Sequence, residues 1–123
     1  MEQLILHLFG DYVTQSDWMA NRKTDSTWAA FCHATIYSAP FLLLGGWESV
    51  FVIWLTHLLI DRFRIARFVV FAKNFMGSPW PRWENCKATG YPSERPIWLT
   101  LWLLIAADNT LHLAINYGAL RWL

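Results

Sequence analysis

The sequence predicts an all-α integral membrane protein, a helical bundle of about three spanning helices preceded by a short N-terminal helix that is interfacial or re-entrant. Three observations carry this. Hydrophobic residues make up 55% of the 123 residues and charged residues only 15%, against roughly 25% charged in ordinary soluble domains. The apolar residues fall in long uncharged runs rather than in the alternation of half-buried strands. Nine of the ten Lys and Arg residues fall on one side of those runs. The length suits a single domain, residues 1–123. The composition excludes a disordered chain, and a net charge of +1 excludes a general nucleic-acid-binding surface.

The elements follow in order. Residues 4–13 are apolar but too few to cross a bilayer at about 1.5 Å per residue. They lack the cationic start and small-residue cleavage site of a secretory signal. Residues 14–27 are polar, with Ser16 or Asp17 able to cap a short helix and Ser26 or Thr27 able to cap the next. Residues 28–44 carry no charge and are closed by Gly45-Gly46. A third apolar segment, 47–60, continues after Asp61 into the arginine-rich stretch 62–75. Residues 76–96 hold Gly77, Gly90, Pro79, Pro81, Pro92 and Pro96, which predicts a long irregular loop, either a functional lid or a plain connector. The last segment, 97–122, exceeds a bilayer's needs and is expected to tilt or protrude.

Charge sets the orientation. Arg22 and Lys23 precede the second segment, and Arg62, Arg64, Arg67, Lys73, Arg82, Lys87 and Arg95 lie between the third and fourth. Only Arg121 lies at the far end. The positive-inside rule makes 14–27 and 62–96 cytoplasmic. Trp18, Trp28, Trp47, Trp80, Trp83, Trp98 and Trp122 sit at or beyond segment ends, as an interfacial aromatic belt requires. Membrane lipids are the expected partners, and a homo-oligomer is compatible with the pattern.

The chemistry lies in the histidines. His7, His33, His57 and His112 fall one to each apolar segment, and Asp11, Asp61 and Asp108 each stand four residues from one of them. Residues four apart share a helix face, so each pair can aim a carboxylate and an imidazole at one point. Ionisable groups within a membrane are costly and are functional candidates by default. A lone buried histidine is as readily a satisfied packing residue, which is the plain alternative for His33. Three pairs at one spacing are hard to obtain from packing. Together with His33 they are too many ligands for one tetrahedral zinc and suit a two-metal site, with Zn or Mn expected. Gln15 and Asp17 are candidates for orienting the ligating imidazoles, with helix capping as the alternative. The spacing gives Cys32 and Cys86 no part in the site.

At these residues the chain resembles a family of small integral membrane proteins of bacteria and phages that is known only as a domain of unknown function. The family's opening pattern, HxxxDxxxQxDWMA, is matched by His7, Asp11, Gln15, Asp17, Trp18, Met19 and Ala20. It continues with a helix histidine (His33), an HxxxD pair (His57, Asp61) and a DxxxH pair (Asp108, His112). The resemblance implies the bacterial inner membrane and this ligand set, and no substrate. The pair spacing is more distantly similar to that of membrane-bound metal-dependent hydrolases.

The expected function is therefore a metal-dependent hydrolase of phosphoesters or lipid-linked phosphates, with its centre in the cytoplasmic half of the bilayer. Asp61 and Asp108 are the expected catalytic carboxylates, and Lys23 and Arg62 the expected phosphate-binding cations. A proton or metal-ion transporter would use the same cluster. A haem protein has no use for the aspartates. A non-enzymatic interaction module would keep the metal as a structural clip.

Overall fold

A computed structural model describes residues 1–77 and 80–123 and is all-α, with no strand among the described residues. Pro79, one of the loop prolines, lies outside the described residues. The helices are α1 (Glu2–Tyr12), α2 (Asp17–Arg22), α3 (Thr27–Ser38), α4 (Trp47–Phe63), α5 (Ile65–Phe75), α6 (Trp83–Cys86) and α7 (Ile97–Trp122), with a 3-10 turn at Ala39–Leu43. Ser16 Oγ accepts from the Met19 N–H, and Ser26 Oγ accepts from the Ala29 N–H, each at 3.3 Å. These serines are the caps that start α2 and α3.

Two of the apolar runs break where their chemistry demands. The 28–44 run is not one helix. Pro40 lacks an N–H and disfavours an α conformation before it, so α3 stops at Ser38 and the chain tightens into the 3-10 turn. The 47–75 run divides at Arg64, whose φ of 52° is left-handed. Of the three expected spans, only Ile97–Trp122 is by itself long and apolar enough to cross a membrane among the described residues. α3 has twelve residues, about 18 Å, and α4 has seventeen, about 25 Å.

The chain divides into two compact units, Met1–Phe63 with His112–Leu123, and Arg64–Leu111. In the first, α3 packs most extensively on α4, and α1 and α2 pack on α3. Two rows of α3 are buried, Ala30–Ala34–Ser38 and Ala29–His33–Tyr37. The small residues let neighbouring backbones come close. α4 buries the row Ser49–Ile53–His57–Asp61. Tyr37, Phe41, Ile53 and Ala119 form a small apolar core at one end of these rows.

In the second unit the proline-rich loop is docked on α5. Arg64 donates to the Ala88 carbonyl at 2.8 Å, Arg67 to Lys87 at 3.0 Å and Asn74 to Gly90 at 3.2 Å. Trp83 stacks on Phe68 with ring centroids 4.9 Å apart. Gly90, at φ +82°, is the contact point: a Cβ there would lie 2.3 Å from the Arg67 carbonyl oxygen. Gly90→Ala is expected to cost at least about 1–3 kcal/mol from the backbone conformation alone and to release the loop. Faster amide hydrogen exchange across residues 84–92 is the expected result, and unchanged exchange would show that the docking does not depend on this glycine.

Candidate metal centre

The polar ends of the helix rows meet within the first unit. α1 brings His7 and Asp11, α3 brings His33, α4 brings His57 and Asp61, and α7 brings His112. All six side chains are buried. His33 Nε2 lies 3.0 Å from His57 Nε2, 3.2 Å from Asp11 Oδ1 and 3.2 Å from Asp61 Oδ2. His57 Nε2 lies 3.4 Å from Asp11 Oδ1 and 3.3 Å from Asp61 Oδ2. The other oxygen of Asp61, Oδ1, is 3.5 Å from His112 Nε2. Two overlapping sets, Asp11–His33–His57 and His57–Asp61–His112, each bring their ligand atoms within 4.8 Å of one another.

Hydrogen bonding alone does not account for this arrangement. A ring nitrogen either donates once or accepts once. His33 Nε2 nevertheless meets two carboxylate oxygens, a second imidazole nitrogen and the Lys23 ammonium, all within 3.5 Å. Asp11 Oδ1 is buried and accepts no well-directed hydrogen bond. A cation suits the same atoms. Four ligands at about 2.0–2.2 Å around a tetrahedral zinc lie about 3.3–3.5 Å apart. Within the Asp11–His33–His57 set the three contacts run from 3.0 to 3.4 Å, close to those edges. Two carboxylates and neutral imidazoles also match the charge of one divalent ion. The residues therefore fit a metal with little movement.

The other expected site residues occupy different positions. His7 belongs to neither metal-capable set. It stands behind Asp11, its Nδ1 3.5 Å from Oδ2 and 2.7 Å from the Tyr37 hydroxyl. Asp108 is also outside both sets and lies one helical turn before His112 on α7, within the second unit. Lys23 Nζ sits 2.8 Å from Asp61 Oδ2. Arg62 donates to Thr27 Oγ1 at 3.2 Å and to the Thr24 carbonyl, bracing the segment before α3. Asp17 accepts from Asn21 at an exposed position, and Gln15 Oε1 is buried without a hydrogen-bond partner. Cys86 is buried in the second unit, where desolvation and nearby Glu94 push its thiol up and keep it protonated.

Two residues of the site were not anticipated. Tyr37 is fully buried and stacks on His57 with ring centroids 3.6 Å apart. Its hydroxyl accepts from Asn116 Nδ2 at 2.6 Å and bonds His7 at 2.7 Å. Tyr37 thus joins α1, α3, α4 and α7 beneath the cluster. Both residues could have been found, because His33-xxx-Tyr37 and His112-xxx-Asn116 repeat the four-residue spacing of the His–Asp pairs. Gly10 completes the floor: a Cβ there would fall 2.5 Å from the Tyr37 ring, so the glycine sets how closely α1 approaches. Tyr37→Phe keeps the ring and removes the hydroxyl that bonds His7 and Asn116. The expected loss is about 1–3 kcal/mol for each partner left unsatisfied, read by unfolding in detergent. An unchanged midpoint would mean that the hydroxyl does not hold the helices.

No curated protein and no solved structure matches the chain. A family model described as "Protein of unknown function (DUF3307)" matches residues 1–76. The match takes in His7, Asp11, Lys23, His33, Tyr37, His57 and Asp61, and it ends before His112. The chain belongs to this family of proteins of unknown function.

Proposed function

We propose that this protein is a membrane-embedded, metal-dependent hydrolase of phosphoesters or lipid-linked phosphates. The observation that carries the reading is the pair of overlapping buried sets, Asp11–His33–His57 and His57–Asp61–His112, each with its ligand atoms within 4.8 Å of one another. His33 and His57 would supply neutral nitrogens, and the two carboxylates would balance the charge. Asp61 has its second oxygen turned to His112, and His57, Asp61 and His112 would hold a second metal. Zn or Mn suits mixed imidazole and carboxylate donors. A bound divalent ion supplies Lewis acidity and a water of lowered pKa.

This chain's own groups do the rest. Tyr37 and Asn116 hold the imidazole layer in place beneath the ligands. Lys23 is partly exposed and bears a cation beside Asp61, where a phosphate oxygen could meet it. Arg62 is the second cation of that region in this reading. Asp61 is the catalytic carboxylate that the geometry supports in this reading, and Asp108 lies outside both sets.

The membrane assignment has separate support. The buried large side chains of the protein include His7, His33, His57, His112 and Asn116, while Leu43, Trp47, Trp98 and Trp102 are exposed. Only 11% of the most apolar window of α7 is buried. Large exposed apolar surface marks contact with lipid or another protein. With α7 as one span, we read α3 with its 3-10 turn and α4 as the others, loops 14–27 and 62–96 as cytoplasmic, and the inner membrane as the location. Retention in the membrane fraction after an alkaline carbonate wash is the expected result, and full release would rule out spanning helices.

The function is tested by elemental analysis of detergent-purified protein beside a His57→Ala/Asp61→Ala double variant, followed by a panel of phosphomonoesters, phosphodiesters and lipid-linked phosphates. The expected result is one to two equivalents of metal, about two if the second position fills. The folded double variant should lose that metal, and the loaded protein should cleave at least one class. Failure to bind metal in excess Zn and Mn would overturn the reading and leave proton handling for the cluster. Metal without cleavage would reduce it to a structural clip.

A further inference from the structure

We propose that the Lys23 ammonium is a built-in counter-cation of the metal-free cluster, and that a divalent metal entering the site expels it toward solvent. The inference rests on the metal-binding reading and adds a control on loading. Lys23 closes α2, its backbone N–H bonded to the Met19 carbonyl, and its side chain reaches inward. Nζ stands 2.8 Å from Asp61 Oδ2 and 3.5 Å from His33 Nε2. Both residues belong to the sets that would hold metal. At His33 Nε2 a metal would take the single lone pair that faces the ammonium, and at Asp61 Oδ2 it would share the oxygen with it.

Their joint occupancy is electrostatically costly. A metal bound to Asp61 Oδ2 at about 2.0–2.2 Å would lie within about 5 Å of the ammonium where it now stands. Two cations that close, in a site shielded from water, repel strongly. The lysine is the group able to leave. His33, His57 and Asp61 are fixed in the buried rows of α3 and α4. α2 has no buried residue, and the Lys23 side chain is already 20% exposed. A flexible four-carbon stem lets the charged head move to water while the stem stays in contact. Without metal, the lysine offsets the carboxylate charge that burial makes costly. Once displaced, it holds a positive charge at the mouth of a loaded site, where an anionic substrate would meet it.

Amine acylation of the wild-type protein, with and without zinc after chelator treatment, tests this directly. Lys73 and Lys87 serve as internal references in the mass spectra. Lys23 labelling is expected to rise severalfold relative to both when zinc binds. Competition with a chromophoric chelator supplies the second arm: Lys23→Gln is expected to bind zinc about tenfold more tightly or better, and Lys23→Arg to stay near wild type. Unchanged or reduced Lys23 labelling with zinc bound, or a Lys23→Gln affinity equal to or weaker than wild type, would overturn the inference and leave the metal site standing. No zinc bound by any form would remove the metal reading and this inference with it.

Discussion

Asp11 and Asp61 are buried beside the same two imidazoles, and the first unit is built around what that juxtaposition requires. Two carboxylates in an interior of low dielectric demand positive charge or directed donors within contact distance. Histidines from α1, α3, α4 and α7 meet around them, and a lysine reaches in from the end of α2. Each of these histidines has a partner four residues away on its own helix, so the demand at one point constrains the rotation of α1, α3, α4 and α7. Ser49–Ile53–His57–Asp61 shows the coupling within one helix. The row that carries the ligands also carries Ile53 into the small apolar core.

The distribution of side chains inverts the usual order of a soluble domain. Among the largest fully buried side chains are four histidines and an asparagine, while leucines, phenylalanines and tryptophans face outward. In water this arrangement gives up most of the apolar burial that stabilises a fold. In the proposed lipid setting exposed apolar groups would cost nothing and polar groups would have to find partners inside. The buried alanines of α3 would then serve packing by close backbone approach.

Much of this could be read from the residues alone. The HxxxD spacing placed His57 with Asp61 and His7 with Asp11 on shared faces, and the structure brings each pair into contact. Capping is a local property, so the sequence narrowed the starts of α2 and α3 to Ser16 or Asp17 and Ser26 or Thr27, and the serines are the caps. Non-local facts were harder. That His33 contacts both Asp11 and Asp61 depends on where α1, α3 and α4 cross, which spacing within one helix does not encode. Tyr37 was passed over because an apolar ring in an apolar segment reads as core, although its hydroxyl needs partners once buried. The unbroken 28–44 run hid a boundary. Hydropathy counted Pro40 as one more uncharged residue, while backbone chemistry ended the helix there.

Stability and chemistry are hard to separate in such a site. The first unit has a core cluster of only four residues, so the polar layer between the helices is a large part of what joins them. A metal at its centre would tie α1, α3 and α4 through ligands spaced for it, and would reach α7 through Asp61 and His112. Tyr37 and Asn116 do part of that joining without metal, since their hydrogen bonds cross the same helices one layer below. This division leaves the ligand layer able to exchange ions while the floor stays closed. The ligand layer and the layer below it therefore join the helices by different means, the upper through carboxylates and imidazoles and the lower through the Tyr37 hydroxyl.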